Sequence, residues 1–197
     1  MSTEYSDRPL ERAPGAPSAP LSPESRERRR TERLLLRRPR ADDLDWMSAL
    51  HSDPLNYPYS PDRAHDPQQA RAMSRTLIDA WEIEQIGYWV AEPAPGLPDS
   101  APGRIGMAGV RPSSLAGRPC FNLYFRFVLA VRGRGFAAEA SREALAVAAA
   151  IDASCPVVVR TREANVPARR LSEAIGLVRR ADLDAATNGF VVYVSDW

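Results

Sequence analysis

The chain has 197 residues, enough for one domain of ordinary size with a substantial core. Its formal net charge is +1 and its pI is about 7.8, so the bulk charge does not favour binding to nucleic acid. The two cysteines and two histidines have neither the number nor the spacing of a disulfide framework or a metal site. No apolar run reaches the length of a membrane-spanning helix, and no apolar secretory segment opens the chain. We therefore expect a soluble cytoplasmic protein without a metal.

Residues 1–30 are rich in proline, serine, alanine and charge, and cannot bury an apolar face. We expect them to form a disordered tail, and we expect residues 31–197 to form the folded domain. The basic residues at the end of the tail, Arg26 and Arg28–Arg30, either contact an acidic partner or stay solvated.

Hydrophobic periodicity and turn signals predict the order β, α, α, three strands, α, β, α, β, β in the folded part. This order corresponds to an α/β (α+β) fold with a mixed, mostly antiparallel sheet of about six to seven strands and about four helices. Asp42 and Asp43 resemble the N-terminus of a short helix, and Asp66-Pro67 resembles the next one. Residues 92–103 and 111–119 are predicted to be loops. The proline-rich stretch 53–61 is a third loop, whose Tyr57 and Tyr59 either line a substrate cleft or pack beneath the loop.

The stretch 131–140 links a predicted strand to a predicted helix through Gly133 and Gly135. The strand pattern is Phe121, Leu123, Phe125 and Phe127, and the helix pattern is Phe136, Ala140, Ala144, Val147 and Ile151. Such a turn directs unpaired backbone N–H groups and the positive end of a helix dipole at one place. Arg132 and Arg134 add two positive charges. The turn is therefore predicted to hold a phosphate or pyrophosphate, the alternative being an ordinary turn with solvated arginines.

Two functional interpretations of this turn follow. Residues 133–138 match the dinucleotide-binding pattern G-x-G-x-x-A, and Arg160 would then meet the 2′-phosphate of NADP. Only about sixty residues follow Gly135, however, and the preceding strands are antiparallel in character. A dinucleotide fold needs more strands after the turn and parallel βαβ units.

The second interpretation is a resemblance to a known family. Residues 132–137 fit R/Q-x-x-G-x-G/A, the acetyl-CoA pyrophosphate loop of the GNAT acetyltransferase superfamily. The chain resembles in particular the branch of ribosomal-protein N-terminal acetyltransferases (RimJ/RimL type). Residues 31–37 are similar to the opening strand of that branch, residues 135–140 to its G-Y-A-T-E-A segment, and residues 165–177 to its N-x-x-S…E-x-x-G-F segment. The resemblance covers residues 31–197 and implies a splayed central sheet.

The resemblance also implies a site for acetyl-CoA. Backbone N–H groups of the glycine turn would hold the pyrophosphate, and backbone groups near Phe125 and Phe127 would pair with the pantetheine arm. Asn165 would contact the cofactor arm, cap the next helix, or do both, and Arg169 would approach the phosphates or stay solvated. The implied cofactor-binding residues are Phe125, Phe127, Arg132, Gly133, Arg134, Gly135, Phe136, Ala137, Asn165 and Arg169.

The implied reaction is direct attack of a substrate amine on the thioester. It requires an uncharged amine, an oxyanion donor and a proton for the leaving thiolate. The glutamate that the branch often carries before the loop aligns with Asn122, and its serine three residues after the asparagine is Ala168. A tyrosine used elsewhere in the superfamily falls at Ser172. The candidate catalytic residues are thus Asn122, which can orient an amine or a water, and Ser172, which could donate a proton or be a plain helix serine.

The missing base restricts the acceptor. At pH 7 about ten per cent of an α-amine with a pKa near 8 is neutral, against roughly 0.04% of a lysine side chain. The predicted acceptor is therefore a primary amine of low pKa, at a peptide or protein N-terminus or on a small molecule. Glu92, or a loop carboxylate acting through water, would weaken this argument.

Two alternatives stay open at this stage: a non-catalytic sensor or scaffold that binds acyl-CoA, and an NADP-binding protein. The expected partners are acetyl-CoA and an amine acceptor, with no membrane. Nucleic acid would bind only through the arginine-rich tail. The expected oligomeric state is a monomer or a homodimer.

Overall fold

The computed structural model of the protein describes residues 21–59, 64–95 and 103–197. The strands are β1 (Arg28–Arg30), β2 (Leu34–Arg37), β3 (Tyr88–Pro93), β4 (Gly106–Leu115), β5 (Arg118–Phe127), β6 (Val157–Thr161), β7 (Val178–Arg179) and β8 (Val191–Val194). The α-helices are α1 (Pro23–Glu27), α2 (Leu44–Ser52), α3 (Pro67–Glu84), α4 (Phe136–Ile151) and α5 (Val166–Ala174). Short 3₁₀ helices span Ala41–Asp43, Pro54–Asn56, Leu129–Val131 and Ala181–Thr187.

The described strands form one eight-stranded sheet in the order β1-β2-β3-β4-β5-β6-β8-β7. Every neighbouring pair is antiparallel except β5 and β6, which are parallel and connected through α4. The predicted mixed, mostly antiparallel α/β fold is thus confirmed. A dinucleotide-binding domain is built from successive parallel βαβ units, so the NADP-binding alternative is not compatible with this sheet.

Helices cover both faces of the sheet. Alternate residues of β4 and β5 face opposite sides, as the pleat requires. Ala108 and Leu123 pack in the large core on the α4 side, whereas Met107 and Tyr124 pack with α2 and α3. The apolar residues of β5 and those of α4 therefore pack together on one face of the sheet. We call the other side, which carries Tyr124, the α2–α3 face.

The predicted loop at residues 111–119 is wrong. Residues 111–115 continue β4 and residues 118–127 form β5, joined by a two-residue turn in which Ala116 and Gly117 both have positive φ. Pro112 and Pro119 suggested a loop because proline lacks the N–H that a strand ladder uses. Beyond Gly109, however, β4 pairs only with β5, so one edge of this segment has no partner strand to which an N–H must donate.

The described part of the predicted tail is ordered. Residues 23–27 form α1, and residues 28–30 form β1, which pairs antiparallel with β2 at the edge of the sheet. The Trp89 indole N–H donates to the backbone carbonyl of Arg26 at 2.7 Å, which holds this segment against β3. Composition therefore misjudged residues 21–30, because a strand can be held by backbone pairing without a buried face of its own. Residues 1–20 lie outside the described residues.

Asp43 occupies the N-cap position of α2, as predicted for this helix start, and its side chain is the centre of a buried ionic cluster. Its carboxylate is 1% exposed and accepts hydrogen bonds from the Arg37 guanidinium at 2.7 and 2.9 Å and from the Arg40 backbone N–H at 2.7 Å. Arg104 forms a further ion pair at 2.6 Å. Burial alone would raise the pKa of Asp43, but the bonds from Arg37 and Arg40 hold it below its usual value.

We expect Asp43→Ala to lower the free energy of unfolding by about 3 kcal/mol, because it leaves the Arg37 guanidinium half-buried without its main partner. Asp45→Ala is the matched control. Asp45 lies in the same segment, its side chain is 86% exposed, and it pairs only with the surface residue Arg71. Its loss should cost less than about 0.5 kcal/mol. Urea denaturation of both variants checks the difference, and equal effects would contradict the assigned role of Asp43.

Candidate active site

The parallel strands β5 and β6 separate almost as soon as they meet. They pair at two positions, Phe121 with Val157 and Asn122 with Val158, and then diverge. A cavity of about 910 Å³ opens from the divergence and runs to the glycine turn before α4. We call this cavity the cleft. Its walls come from β5, the turn, the start of α4, β6, α5 and the connection between α2 and α3.

The divergence leaves backbone groups of β5 facing the cleft. The Phe121 N–H donates to the Pro156 carbonyl at 2.8 Å, so the backbone of Phe121 faces β6. By strand alternation the N–H and C=O of Phe125 point the same way, where β6 has already moved away. Buried backbone groups require partners. A ligand arm with amide groups could supply them as an added strand would.

Eight of the ten predicted cofactor-binding residues line the cleft: Phe125, Phe127, Arg132, Gly133, Gly135, Phe136, Ala137 and Asn165. Arg134 and Arg169 do not. The two loop tyrosines, Tyr57 and Tyr59, also line the cleft.

The glycine turn has the conformation that an anion site requires. Gly133 and Gly135 have φ values of 77° and 82°, in the left-handed region that other residues rarely adopt. Gly135 is the N-cap of α4, and no side chain of the described residues caps this end. The N–H groups of Phe136, Ala137 and Ala138 consequently lack intrahelical partners, and all three residues line the cleft. The residues present thus fit a pyrophosphate.

Glu139 anchors this turn to the N-terminal part of the domain. Its carboxylate accepts from the Thr31 hydroxyl at 2.5 Å and from the Arg33 backbone N–H and Nε at 2.7 Å each. Arg33 also donates to the carbonyl of Arg134 at 2.9 Å, and the guanidinium groups of both arginines lie over the Phe136 ring. Burial would raise the pKa of Glu139, but the bonds from Thr31 and Arg33 keep it below its usual value.

The Arg132 side chain holds a neighbouring loop. It donates to the carbonyls of Phe127 and Leu55 at 3.1 and 3.3 Å and to the Asn56 side-chain oxygen at 3.1 Å. Burial and the nearby charge of Arg126 lower its pKa. The Arg132 guanidinium, which is predicted to add positive charge beside a phosphate, therefore also ties the α2–α3 connection to the end of β5.

The three candidate residues in and before α5, which are Asn165, Arg169 and Ser172, have different surroundings. Asn165 caps α5 by accepting from the Ala168 N–H at 3.2 Å, and it also lines the cleft. Ser172 is fully buried, donates to the Ala168 carbonyl at 2.9 Å and does not reach the cleft. Arg169 donates to the Tyr193 hydroxyl and to the Glu163 carbonyl, both at 3.1 Å.

Arg170 lines the cleft in place of Arg169. The helical period accounts for this, because Arg170 lies three residues after Pro167 and four before Ala174, and the structure places both of these at the cleft. A change of one position rotates a side chain by about 100° around a helix, which explains why the neighbouring arginine faces away.

Asn122 is the last residue of β5 that pairs with β6, on the α2–α3 face and outside the lining of the cleft. Its amide nitrogen donates to the Tyr88 hydroxyl at 2.8 Å, and the Tyr88 ring stacks on Tyr124 with centroids 4.8 Å apart. The Tyr124 hydroxyl accepts from Arg126 Nε at 2.8 Å and lies 3.4 Å from His51 Nδ1. Sequence analysis singled out Asn122 but missed the four other members of this cluster. Tyr124 and Arg126 follow Asn122 at alternate positions of β5, a period-two signal that could have found them, whereas Tyr88 and His51 come from segments distant in the chain.

Burial shifts the pKa values of two groups in this cluster, Tyr124 and His51. It raises the pKa of Tyr124 to about 12. It lowers the pKa of His51 to about 3, with a further contribution from the positive charge of Arg126. His51 is 1% exposed, and its Nε2 has no hydrogen-bond partner among the described residues. The imidazole is thus neutral and cannot accept a proton without disrupting the core.

The low pKa of His51 makes stability fall with acidification. The unfolded state binds a proton near pH 6.5, whereas the folded state does so only near pH 3, so stability decreases as the pH falls through 6.5. Between pH 7 and pH 5 the loss from this group is about 2 kcal/mol. We expect His51→Gln to lose less stability than the wild type over this range, as measured by urea denaturation.

The control for this measurement is His65→Gln, which leaves the buried imidazole of His51 in place. This variant should lose as much stability between pH 7 and pH 5 as the wild type. A His51→Gln variant with the same pH dependence as the wild type would show that His51 is protonated in the folded state.

Carboxylates are absent from the described residues that line the cleft. Glu92, a possible base, is held by Arg37 at 2.7 Å, and Glu84 is held by Arg111 at 2.5 Å. The described residues contain no cluster of metal-ligating side chains. Across the same ranges, none of the helices combines the length and apolar character needed to cross a bilayer.

A mixed sheet that opens beside an uncapped glycine turn defines the fold class of acyl-CoA-dependent transferases, and the comparisons with known proteins name the family. Residues 33–178 match the family model of the acetyltransferase (GNAT) domain. The chain therefore belongs to the GNAT acetyltransferase family, whose members use acetyl-CoA as cosubstrate. A search of curated protein sequences gives no significant match.

Solved structures show the same fold. An acetyltransferase from Agrobacterium tumefaciens strain C58 aligns with a TM-score of 0.70 at 20% identity, over 85% of this chain and 92% of that one. A spermidine N-acetyltransferase from Vibrio cholerae, in complex with CoA and spermine, aligns with a TM-score of 0.59 at 18% identity, over 83% and 94%. A Vibrio cholerae protein provisionally named a ribosomal-protein-serine acetyltransferase aligns with a TM-score of 0.61 at 14% identity, over 85% and 95%.

Proposed function

We propose that this protein is an acetyl-CoA-dependent N-acetyltransferase that acts on a primary amine of low pKa, at a peptide or protein N-terminus or on a small molecule. The observation that carries the proposal is the continuity of one cleft. It runs from the uncapped N-terminus of α4, along the unpaired backbone of β5, to the point where β5 and β6 part.

Each part of the cleft has a separate task in binding. The N–H groups at the start of α4 and the turn glycines would hold the pyrophosphate, and the Phe125 backbone would pair with the amide groups of the pantetheine arm. Asn165 and Arg170 line the opposite wall and would contact the cofactor arm and the phosphates. Bound acetyl-CoA supplies an acetyl thioester that an amine attacks directly, with the CoA thiol as leaving group.

The residues near the divergence favour an amine that arrives uncharged. No carboxylate of the described residues lines the cleft, and His51 is neutral and buried, so neither is placed to accept the proton of an ammonium group. About ten per cent of an α-amine is already neutral at pH 7, against roughly 0.04% of a lysine side chain. An α-amine is therefore the acceptor that requires the least help.

We assign Asn122 the task of orienting the amine. It occupies the last paired position before the strands part, and its amide nitrogen is anchored to the Tyr88 hydroxyl. Its carbonyl oxygen is left as an acceptor for an amine N–H. Ser172 receives no part in the reaction, because its hydroxyl is buried against the Ala168 carbonyl.

We expect calorimetry to show micromolar binding of acetyl-CoA, and Gly135→Glu to weaken it at least about a hundredfold, which corresponds to about 2.7 kcal/mol. The new carboxylate would stand beside the N–H groups that hold the pyrophosphate. Gly117→Glu is the matched control, because Gly117 has a similar positive φ of 76° in an open hairpin turn away from the cleft. Both variants carry the same backbone strain, so equal loss of binding would contradict the anion site.

Turnover separates an enzyme from a sensor of the same fold. An enzyme releases CoA and acetylates a peptide α-amine, whereas a sensor binds acetyl-CoA without releasing CoA when amines are added. The second result would refute the transferase proposal and support the binding module.

We expect Asn122→Ala to lower kcat roughly tenfold to a hundredfold, because the amine loses a positioning hydrogen bond. The Kd for acetyl-CoA should stay nearly constant, since Asn122 lies outside the cleft lining. Tyr88→Phe should produce a smaller loss, as it removes only the hydroxyl that anchors the amide. An Asn122→Ala enzyme with unchanged kcat would show that this residue has no part in turnover.

A further inference from the structure

The charge of the cleft differs from that of the whole chain. Although the net charge is only +1, the cleft is lined by five arginines and by no carboxylate of the described residues. The five are Arg126, Arg132, Arg160, Arg162 and Arg170. Elsewhere in the described residues arginines are commonly ion-paired with carboxylates, as at Arg29, Arg33, Arg37, Arg38, Arg71, Arg104, Arg111, Arg179 and Arg180.

Two of the cleft arginines, Arg126 and Arg160, lie on the diverging strands, where the amine acceptor is proposed to bind, rather than in the glycine turn. Arg126 alternates with Phe125 and Phe127 along β5, and so shares the α2–α3 face with Asn122. Arg160 follows Val159, which packs in the core on the α4 side, and so also projects to the α2–α3 face. The two arginines therefore stand on the two diverging strands, one on each side of the gap.

The contacts of these two arginines leave most of their donors available. Arg126 donates to the Tyr124 hydroxyl and, at 2.6 Å, to the Asn56 carbonyl, and its guanidinium lies 3.7 Å from the centre of the Tyr57 ring. Arg160 donates to the Ser113 hydroxyl at 2.7 Å. A guanidinium has five N–H donors, and these hydroxyl, carbonyl and ring partners are all neutral.

The packing holds Arg126 in place despite a like charge nearby. Arg132 donates to the side-chain oxygen of Asn56, the residue whose carbonyl accepts from Arg126. The charge of Arg126 is one of the causes that lower the pKa of Arg132, after burial. Two cations on one asparagine repel each other, and an anion bound between the strands would offset that repulsion.

We propose that the acceptor carries a negatively charged group close to its amine, held by Arg126 and Arg160 through charge-assisted hydrogen bonds. This inference rests on the proposed transferase function and names its substrate class: an acidic peptide N-terminus, or a small amine bearing a carboxylate. A polycationic amine is excluded from the same site by like charge.

Matched peptides test this inference, because they share one α-amine and differ in charge. We expect kcat/KM to fall in the order Ala-Glu-amide, Ala-Gln-amide, Ala-Lys-amide, with at least about a tenfold advantage of the first over the second. Spermidine should be the poorest acceptor. Raising the ionic strength should reduce the differences in kcat/KM among the three peptides, since salt screens partly exposed charges.

Variants connect the preference to the two arginines. Arg160→Gln and Arg126→Gln should each bring the ratio between the glutamate and glutamine peptides close to one. Arg160→Gln is the easier variant to interpret, because Arg126 also donates hydrogen bonds to Tyr124 and to the α2–α3 connection. Arg118→Gln, an exposed arginine over Trp197 at the hairpin, should leave the ratio unchanged.

A binding measurement separates this inference from the transferase proposal. Calorimetry on the CoA-saturated protein should give tighter binding of N-acetyl-Ala-Glu-amide than of N-acetyl-Ala-Gln-amide. Equal affinities, no binding of either, or tighter binding of the lysine peptide would overturn the inference even if acetyl transfer occurs. A charge preference in binding without any turnover would instead refute the proposed transferase activity and support the anion site.

Discussion

The separation of β5 from β6 is the constraint on which the rest of the molecule depends. Two parallel strands that share only two paired positions leave backbone groups that need other partners. The protein places a helix N-terminus and a cavity at the same opening, so that one extended ligand could satisfy both. In the proposed function, one departure from regular strand pairing provides both the binding site of the thioester and the opening at which an amine would attack it.

The glycine turn is held in place from outside its own segment. Glu139 on the first turns of α4 receives hydrogen bonds from Thr31 and Arg33, and Arg33 reaches back to the Arg134 carbonyl. Two sequence segments of the family resemblance, residues 31–37 and 135–140, are therefore physically joined. These contacts hold the start of α4 against the sheet, with its N–H groups at the cleft.

The arginines of the cleft differ from many others in the described residues. Nine arginines outside the cleft form ion pairs with carboxylates, as Arg37 does with Asp43, whereas Arg126 and Arg160 contact neutral oxygens or an aromatic ring. A near-neutral chain can thus present a cationic site. The neighbouring structure with bound spermine has the same fold, and fold alone does not set the charge of an acceptor.

Local pattern in the sequence determined most of the fold and the position of the glycine turn before α4. Strand alternation in β5, the glycine turn and the period of α4 were all predictable, because each depends on residues adjacent in the chain. Strand alternation places Tyr124 and Arg126 on the same face as Asn122. Tertiary structure alone decided that Tyr88 and His51 join them, through the pairing of β3 with β4, the pairing of β4 with β5, and the packing of α2. It also decided that Arg170 rather than Arg169 enters the cleft and that Ser172 does not. Those outcomes depend on how helices rotate against the sheet, a choice made by contacts between residues far apart in the sequence.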